Sequence, residues 1–429
     1  MLDLADDEDD GWPVSLDRDA FVGVAGEFVR AVLPHTEADE AALLMHFLVA
    51  TGCLVGRAWN FPVSGTAHHP RLFSVAVGGT ASGRKGTALD VVLHVLSAAD
   101  AANVADTFDD GLTDNTVDAG FCERNIDNGL TSGAGLIWRI RDPDDRPEAS
   151  GAAVADKRLL VIEPEFGGVL RVCQRKENDL SAVIRDSWDG KTLRSMAKQQ
   201  PAKATAPHVC VLGHVTREEL RATLSSIDTA NGFANRILWW AVRRSKLLPD
   251  GGQLHTVDLS ELVTSIRTAV AFGQTGGRMS RSDAAGKLWH SEYGRLTERP
   301  PGILGQVTTR AEAQVLRLSM LYALLDGSNT IDVPHLLAAL AVWKYCEDSA
   351  RWAFGASLGN RTADTLLAAL RHVQPDGLTR TDISDLFGRN ARQTELRDAC
   401  ALLKRLGLAD SQQIRTPGAG RPATVWFAR

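Results

Sequence analysis

The sequence has no closely spaced cysteines, no long uninterrupted apolar run, no strong charge of either sign and no internal repeat or low-complexity tract. Its six cysteines, Cys53, Cys122, Cys173, Cys210, Cys346 and Cys400, are scattered and form no C-x-x-C pair. That spacing speaks against a cysteine zinc site or a dithiol redox motif. With no recognisable secretory leader, it leads us to expect a reducing cytoplasm. The longest apolar run, residues 41–55, is interrupted by His46 and is too short to span a bilayer, so no membrane partner is expected. A net charge of −6 over 429 residues excludes a polycation.

What remains is an ordinary globular composition, 44% hydrophobic and 23% charged, long enough for two or three domains. The chain opens on the acidic stretch MLDLADDEDD, and a disordered acidic tail is expected over 1–17. Residues 18–56 read as helices, with Phe21, Val24, Phe28, Val29 and Val32 at helical spacing. Short apolar runs follow at Leu72 to Val77, Leu159 to Ile162, Val209 to Leu212 and Ile237 to Val242. Separated by helical stretches, they predict buried parallel strands of an α/β sheet.

The turn Leu248-Pro-Asp-Gly-Gly252 closes that core, which the sequence places at 18–252. Residues 253–358 form a helical extension, with Val315, Leu318, Tyr322 and Leu325 on one face. Residues 359–429 contain three short helical patterns, Asp364–Val373, Arg380–Phe387 and Arg392–Leu406, followed by a hairpin with a Gly-rich tip at Pro417-Gly-Ala-Gly420. That order predicts a winged helix. Residues 361–429 carry 11 Lys+Arg against 7 Asp+Glu, leaving −10 for the rest. A basic module on an acidic body suits a local DNA contact or a merely solvated basic face.

The segment with most chemistry is Phe73-SVAVGGTASGRKGTALDVVLHVL: an apolar strand, a loop of small residues, Lys85-Gly86-Thr87 and a helix. Small residues let backbone N–H groups face an anion, and a helix N-terminus adds positive potential. Against G-x-x-x-x-G-K-[ST] counted from Gly79, Arg84 stands at the second glycine, Lys85 is in register and Thr87 is one residue late. Candidate nucleotide-binding residues are therefore Gly79, Gly83, Arg84, Lys85, Gly86 and Thr87, with ATP and Mg²⁺ as cofactors and Thr87 a metal ligand. An unliganded strand–helix turn is the alternative.

The run Leu159-Leu-Val-Ile-Glu163-Pro-Glu165-Phe ends a strand on two carboxylates. Glu163 suits the metal and Glu165 the attacking water; both are also common strand-end residues. His214, at the end of Val209-Cys-Val-Leu-Gly-His214-Val-Thr216, is either a γ-phosphate sensor or a core-edge histidine. Arg236, in Asn231-Gly-Phe-Ala-Asn-Arg236, is either an arginine supplied to a neighbouring subunit's phosphate or half of an internal salt bridge. In the C-terminal module Arg389, Asn390, Arg392 and Gln393 begin the third helix, and Arg421 adjoins the wing tip. Those five are the candidate DNA contacts, with protein docking the alternative.

The stretches Pro34-His-Thr-Glu-Ala-Asp39, His68-His69-Pro, Gly83-Arg-Lys-Gly-Thr87, Gly129-Leu-Thr-Ser-Gly-Ala-Gly-Leu-Ile137, Val161-Ile-Glu-Pro-Glu-Phe166, Ser187-Trp-Asp-Gly190, Gly213-His-Val-Thr216 and Asn231-Gly-Phe-Ala-Asn-Arg236 occur in that order. From about residue 25 to 355 the chain thus resembles an actinobacterial branch of the RecA-like, plasmid- and phage-associated ATPases. These are often fused to primase-polymerase modules and are described as helicase-like. The resemblance implies a RecA-like P-loop core, ATP and Mg²⁺, a homo-oligomeric (hexameric) ring and replication of mobile DNA. It supports Lys85 and Thr87 at the phosphates, Glu163 or Glu165 at metal and water, His214 as sensor and Arg236 as a finger. Two departures stand out. No primase module precedes the core, so priming would need a separate partner. The family's Gly-Leu-Ser-Ser-Gly-Glu-Gly pattern has a glutamate where this chain has Ala134, which implies slow ATP hydrolysis or none. The functions expected are, in order, an ATP-driven DNA translocase or helicase, a nucleotide-switched replication initiator or DNA-binding factor, and a defence or regulatory ATPase with the same core.

Overall fold

A computed structural model describes residues 11–79, 83–105, 120–143, 154–195, 201–224, 231–300, 302–355, 358, 360–414 and 422–429. The chain is mixed α/β and is built on a five-stranded parallel sheet. Its strands are β1 (Phe73–Val77), β2 (Ile126–Asp127), β3 (Arg158–Glu163), β4 (His208–Val215) and β5 (Ile237–Ala241). They lie in the order β2-β3-β4-β1-β5. Four of them fall where the apolar runs predict. The two-residue edge strand β2 has too little pattern to be read from sequence.

The runs are nearly all apolar because both faces of the sheet are covered. Alternation along each strand then sorts the side chains into two cores. Ala76, Leu160, Ile162, Cys210, Leu212, Leu238 and Trp240 face one core, shared with helices α1 (Gly23–Val32), α2 (Glu40–Val55) and α3 (Lys85–Ala105). Phe73, Val75, Val77, Val161, Val211 and Trp239 face the other, packed by helices Phe166–Cys173 and Leu180–Asp189 and by Trp352 and Phe354. Helix α2 is buried along residues 41–55, which explains an apolar stretch with no polar face.

Two sequence expectations need correction. Residues 11–17, expected within the acidic tail, pack onto the body: Leu16 is buried, and the Trp12 ring meets Trp352 edge-on at 4.8 Å. Two aromatic rings and a leucine outweigh the acidic composition there. The helical extension is also not helical throughout. Gly277–Arg278 pairs in parallel with Trp59–Asn60, and Ser280–Arg281 with Thr330–Ile331, between longer helices.

The C-terminal residues hold a hydrophobic core of their own, including Leu366, Leu370, Ile383, Ala399 and Leu403. Helices Arg361–His372, Arg380–Leu386 and Gln393–Arg405 accompany a three-stranded sheet in which Ala423–Ala428 lies between Leu378–Thr379 and Ala409–Ile414. The predicted helices and hairpin strands are present; Leu378–Thr379 is an added strand. Among the described residues, no helix is long and apolar enough to cross a membrane.

Candidate functional site

In a parallel sheet the carboxyl ends of the strands open onto loops that can face a ligand. The loop after β1 is tied to both neighbouring strands there: Gly78 N–H donates to Val215 O at 3.2 Å, and Val242 N–H donates to Val77 O at 2.9 Å. A Cβ at Gly78 would come within 2.3 Å of Val242 O, so only glycine lets the loop lie this close to the end of β5.

Lys85 is the first residue of α3, and its ammonium turns back over the loop. It donates to Gly79 O at 2.8 Å, Gly78 O at 3.2 Å and Val215 O at 3.5 Å. Burial holds its pKa below the usual lysine value, opposed by Glu218. A half-buried cation resting on loop carbonyls is poised for an anion that would draw it away. Gly79 and Gly86 are exposed, Gly83 is buried and Thr87 is half-buried in the first turn of α3. Arg84 adopts φ +48°, the left-handed region where the phosphate-loop signature carries glycine. Its guanidinium pairs with Glu37 at 2.6 Å, and Glu37 also accepts from Leu248 N–H at 2.9 Å. Arg84 thus fastens the loop to the segment beyond β5.

Glu163 ends β3 opposite Gly213 of β4, which itself lies opposite Val75 of β1. Strand β4 therefore separates the lysine strand from the acid strand. The Glu163 carboxylate is buried and accepts the Leu130 N–H at 2.6 Å. Burial raises its pKa, while the amides of Leu130 and Gly129 act in the opposite direction. Glu165 is exposed at the start of the next helix. The same 129–135 segment carries Ala134, exposed in the first turn of helix Gly133–Arg139.

His214 is buried and bonded to a partner 168 residues away: its Nε2 lies 2.8 Å from His46 Nε2. His46 Nδ1 is 2.7 Å from Ala42 O, so it must donate there. That assignment leaves His46 Nε2 as acceptor and makes His214 Nε2–H the donor. The single N–H of neutral His214 is thereby used, and donating it to a phosphate would require breaking the pair. Burial lowers the His46 pKa to about 4. Burial first, then His46 and Lys85, lower that of His214 to about 2.

Both depressions have one sign for stability. Above pH ~6.5 folded and unfolded chains carry these histidines neutral; as pH falls below that, only the unfolded chain takes up the protons, and stability drains away toward the folded pKa values. Each such proton steepens the dependence by about 1.4 kcal/mol per pH unit. The unfolding free energy of His214→Asn should therefore fall less steeply between pH 6.5 and 4.5, by about that amount per unit. Denaturant titrations at several pH values check this, and an unchanged slope would contradict the pairing.

A cleft of about 1020 Å³ opens beside the loop, lined by Gly79, Gly83, Val242, Asp39, Arg217 and Arg243 among others. Asp39 caps α2, accepting from Ala42 N–H at 2.6 Å and Arg243 N–H at 3.1 Å. Burial raises its pKa to about 6. Neither Asp39 nor Arg243 stands out in the sequence as a site residue, because it is the chain leaving β5 that brings Arg243 to Asp39 across 204 residues. The sequence matches no protein-family model and no curated protein.

The remaining candidates lie elsewhere. Arg236 precedes β5 and so sits at the amino edge of the sheet, opposite Lys85. It is buried, pairs with Asp189 at 3.1 Å and donates to Gly232 O at 2.6 Å. Of its two sequence readings, this arrangement is the internal pair. Arg389, Asn390, Arg392 and Gln393 are all exposed around the start of helix Gln393–Arg405, and Arg389 pairs with Asp385 at 2.6 Å. Arg421 lies outside the described residues. Among the described residues, no group of three or more His, Cys, Asp or Glu could hold a metal ion. Mg²⁺ needs no such cage when a substrate's phosphates supply oxygens.

Proposed function

We propose that this chain is a nucleoside-triphosphatase with a RecA-like P-loop core that works on DNA. The observation that carries the reading is the ammonium of Lys85, at the first turn of α3, folded over the Gly78–Gly79 carbonyls where β1 ends. Two features support it. The parallel sheet, with only β4 between them, brings the end of β1 and the acid-bearing end of β3 to the same edge, and the adjoining cleft is large enough for a nucleotide.

In this reading Lys85 neutralises the outer phosphates, while Thr87 and Glu163 hold Mg²⁺. When bound, Mg²⁺ offsets charge on the phosphate oxygens. Glu165 orients the attacking water, and His214 senses the terminal phosphate by giving up its bond to His46. The resemblance adds a hexameric ring and replication of mobile DNA, and the scattered cysteines suit a reducing cytoplasm. ATP turnover measured with and without single-stranded DNA tests the translocase form, which predicts turnover that DNA stimulates.

A second reading has its own observation. Ala134 is exposed in the segment whose Leu130 amide holds Glu163, and a methyl group cannot activate water. In that reading the nucleotide is a switch for DNA binding, and turnover stays at background with DNA present.

In both forms, residues 359–429 are read as a winged helix that contacts DNA through Arg389, Asn390, Arg392, Gln393 and Arg421. Because residues 361–429 carry most of that core, deleting them should leave the ATPase portion folded. Duplex affinity should drop, and the lost part should be the portion that falls steeply with added salt. Unchanged DNA binding by the truncated chain would instead favour protein docking.

A further inference from the structure

Trp188 is 1% exposed, and three guanidinium groups lie around its ring: Arg317 at 3.4 Å, Arg310 at 5.0 Å and Arg236 at 5.5 Å from the centroid. A fourth, Arg71, donates to Ser187 O at 2.8 Å and closes over Gly190, where a Cβ would meet it at 2.5 Å. The four come from separate places: the approach to β1, the turn before β5 and the helix Ala311–Leu325 with its N-cap. Arg71, Arg236 and Arg317 are 1%, 6% and 3% exposed. Among the described residues, Asp189 is the one carboxylate bonded to any of them, and it is shared with Lys191 at 3.3 Å. Glu312 acts on Arg310 at Coulombic range.

Buried charge normally comes with a partner, and buried donors with an acceptor. Here three buried cations share one carboxylate, and although their terminal nitrogens donate to carbonyls such as Trp188 O, Arg71 O and Gly232 O, other buried donors are left over. The Nε atoms of Arg71, Arg236 and Arg317 and the Trp188 Nε1 are buried with no hydrogen-bond partner, and all four are donors. Burial and neighbouring cations pull the Arg71 pKa to about 9 and that of Arg317 well below the usual arginine value. Such a site lacks an acceptor-rich, negatively charged group. Half-buried Arg310 and Asp189 border it, and half-buried His68 lies within electrostatic reach of Arg317 and Arg71.

We propose that this cluster is a phosphate-binding site, distinct from the Lys85 loop, that takes inorganic phosphate or the terminal group of a small phosphomonoester. A phosphate brings between one and two negative charges near neutral pH and several acceptor oxygens for the unpartnered Nε–H groups and the indole N–H. The site lies at the amino edge of β1 and β5, so the five residues of β1, about 17 Å of strand, separate it from the loop. It does not depend on the nucleotide reading.

The test is calorimetric titration of the full-length Lys85→Ala protein, whose nucleotide loop is disabled, with inorganic phosphate and with glycerol phosphate. Chloride at matched ionic strength is the control. The site predicts saturable binding of at least one of the two, as tight as in the wild type; which binds tighter separates a free anion from a phosphomonoester. Arg310→Gln, at the half-exposed rim, should weaken that binding about tenfold or more, the loss expected for one charge-assisted hydrogen bond. Arg317→Gln should do the same where it folds, and Arg310→Gln decides the matter where it does not. No binding beyond chloride, binding lost with Lys85→Ala, or binding indifferent to Arg310→Gln would each overturn the assignment.

Discussion

Lys85→Ala is expected to weaken ATP binding by about two to three orders of magnitude, while the protein keeps its fold and melting temperature. The ammonium makes its hydrogen bonds to loop carbonyls and is half-buried, so it is already positioned where an anion would enter. Two lost charge-assisted bonds at ~1.5–2 kcal/mol each account for that factor. Lys85 is also the only lysine between Arg71 and Lys157, so no neighbour in sequence replaces its charge. Arg84→Ala should cost less than about tenfold, because its guanidinium is engaged with Glu37 and acts on the loop's shape. A fluorescent-nucleotide titration of both variants checks the ranking. If Arg84→Ala is the more damaging, Arg84 rather than Lys85 is the phosphate ligand.

Arg236→Ala should behave differently: it should lose about 3 kcal/mol of stability, read as a fall in the denaturation midpoint. The arginine is 6% exposed and bonded to Asp189 and Gly232, and its guanidinium rests beside Trp188. Removing it leaves a carboxylate with its strongest partner gone and a void against the indole. Arg236→Lys should recover part of the loss through charge alone. An arginine acting across a ring interface predicts another result: a stable protein without turnover, whose activity returns in part when mixed with Lys85→Ala subunits. That outcome would mean that Arg236 leaves Asp189 on assembly.

The sheet was legible because its strands are nearly unbroken apolar runs and because a strand, a small-residue loop, Lys85 and α3 follow one another without interruption. Glu163 was legible for the same reason, as the acid that ends such a run. What stayed hidden depends on which distant segments the fold brings together. The His46–His214 pair spans 168 residues. Neither histidine has a local pattern that names the other. Arg236 is similar: its sequence neighbourhood fits a finger as well as an internal pair, and only the packing of Asp189 beneath it separates the two. The arginines around Trp188 sit on elements that have no sequence spacing in common. Trp12 and Leu16 were obscured by the acidic residues before them, although their apolar side chains decide where residues 11–17 lie.

The central claim is that the loop after β1 binds a nucleoside triphosphate. Equilibrium titration of the unmodified full-length chain with ATP and Mg²⁺, followed by calorimetry, tests it most directly. The predicted result is saturable binding of one ATP per chain, displaced by ADP and weakened by about two to three orders of magnitude in Lys85→Ala. Absence of saturable binding up to millimolar ATP, or equal binding by wild type and Lys85→Ala, would contradict it.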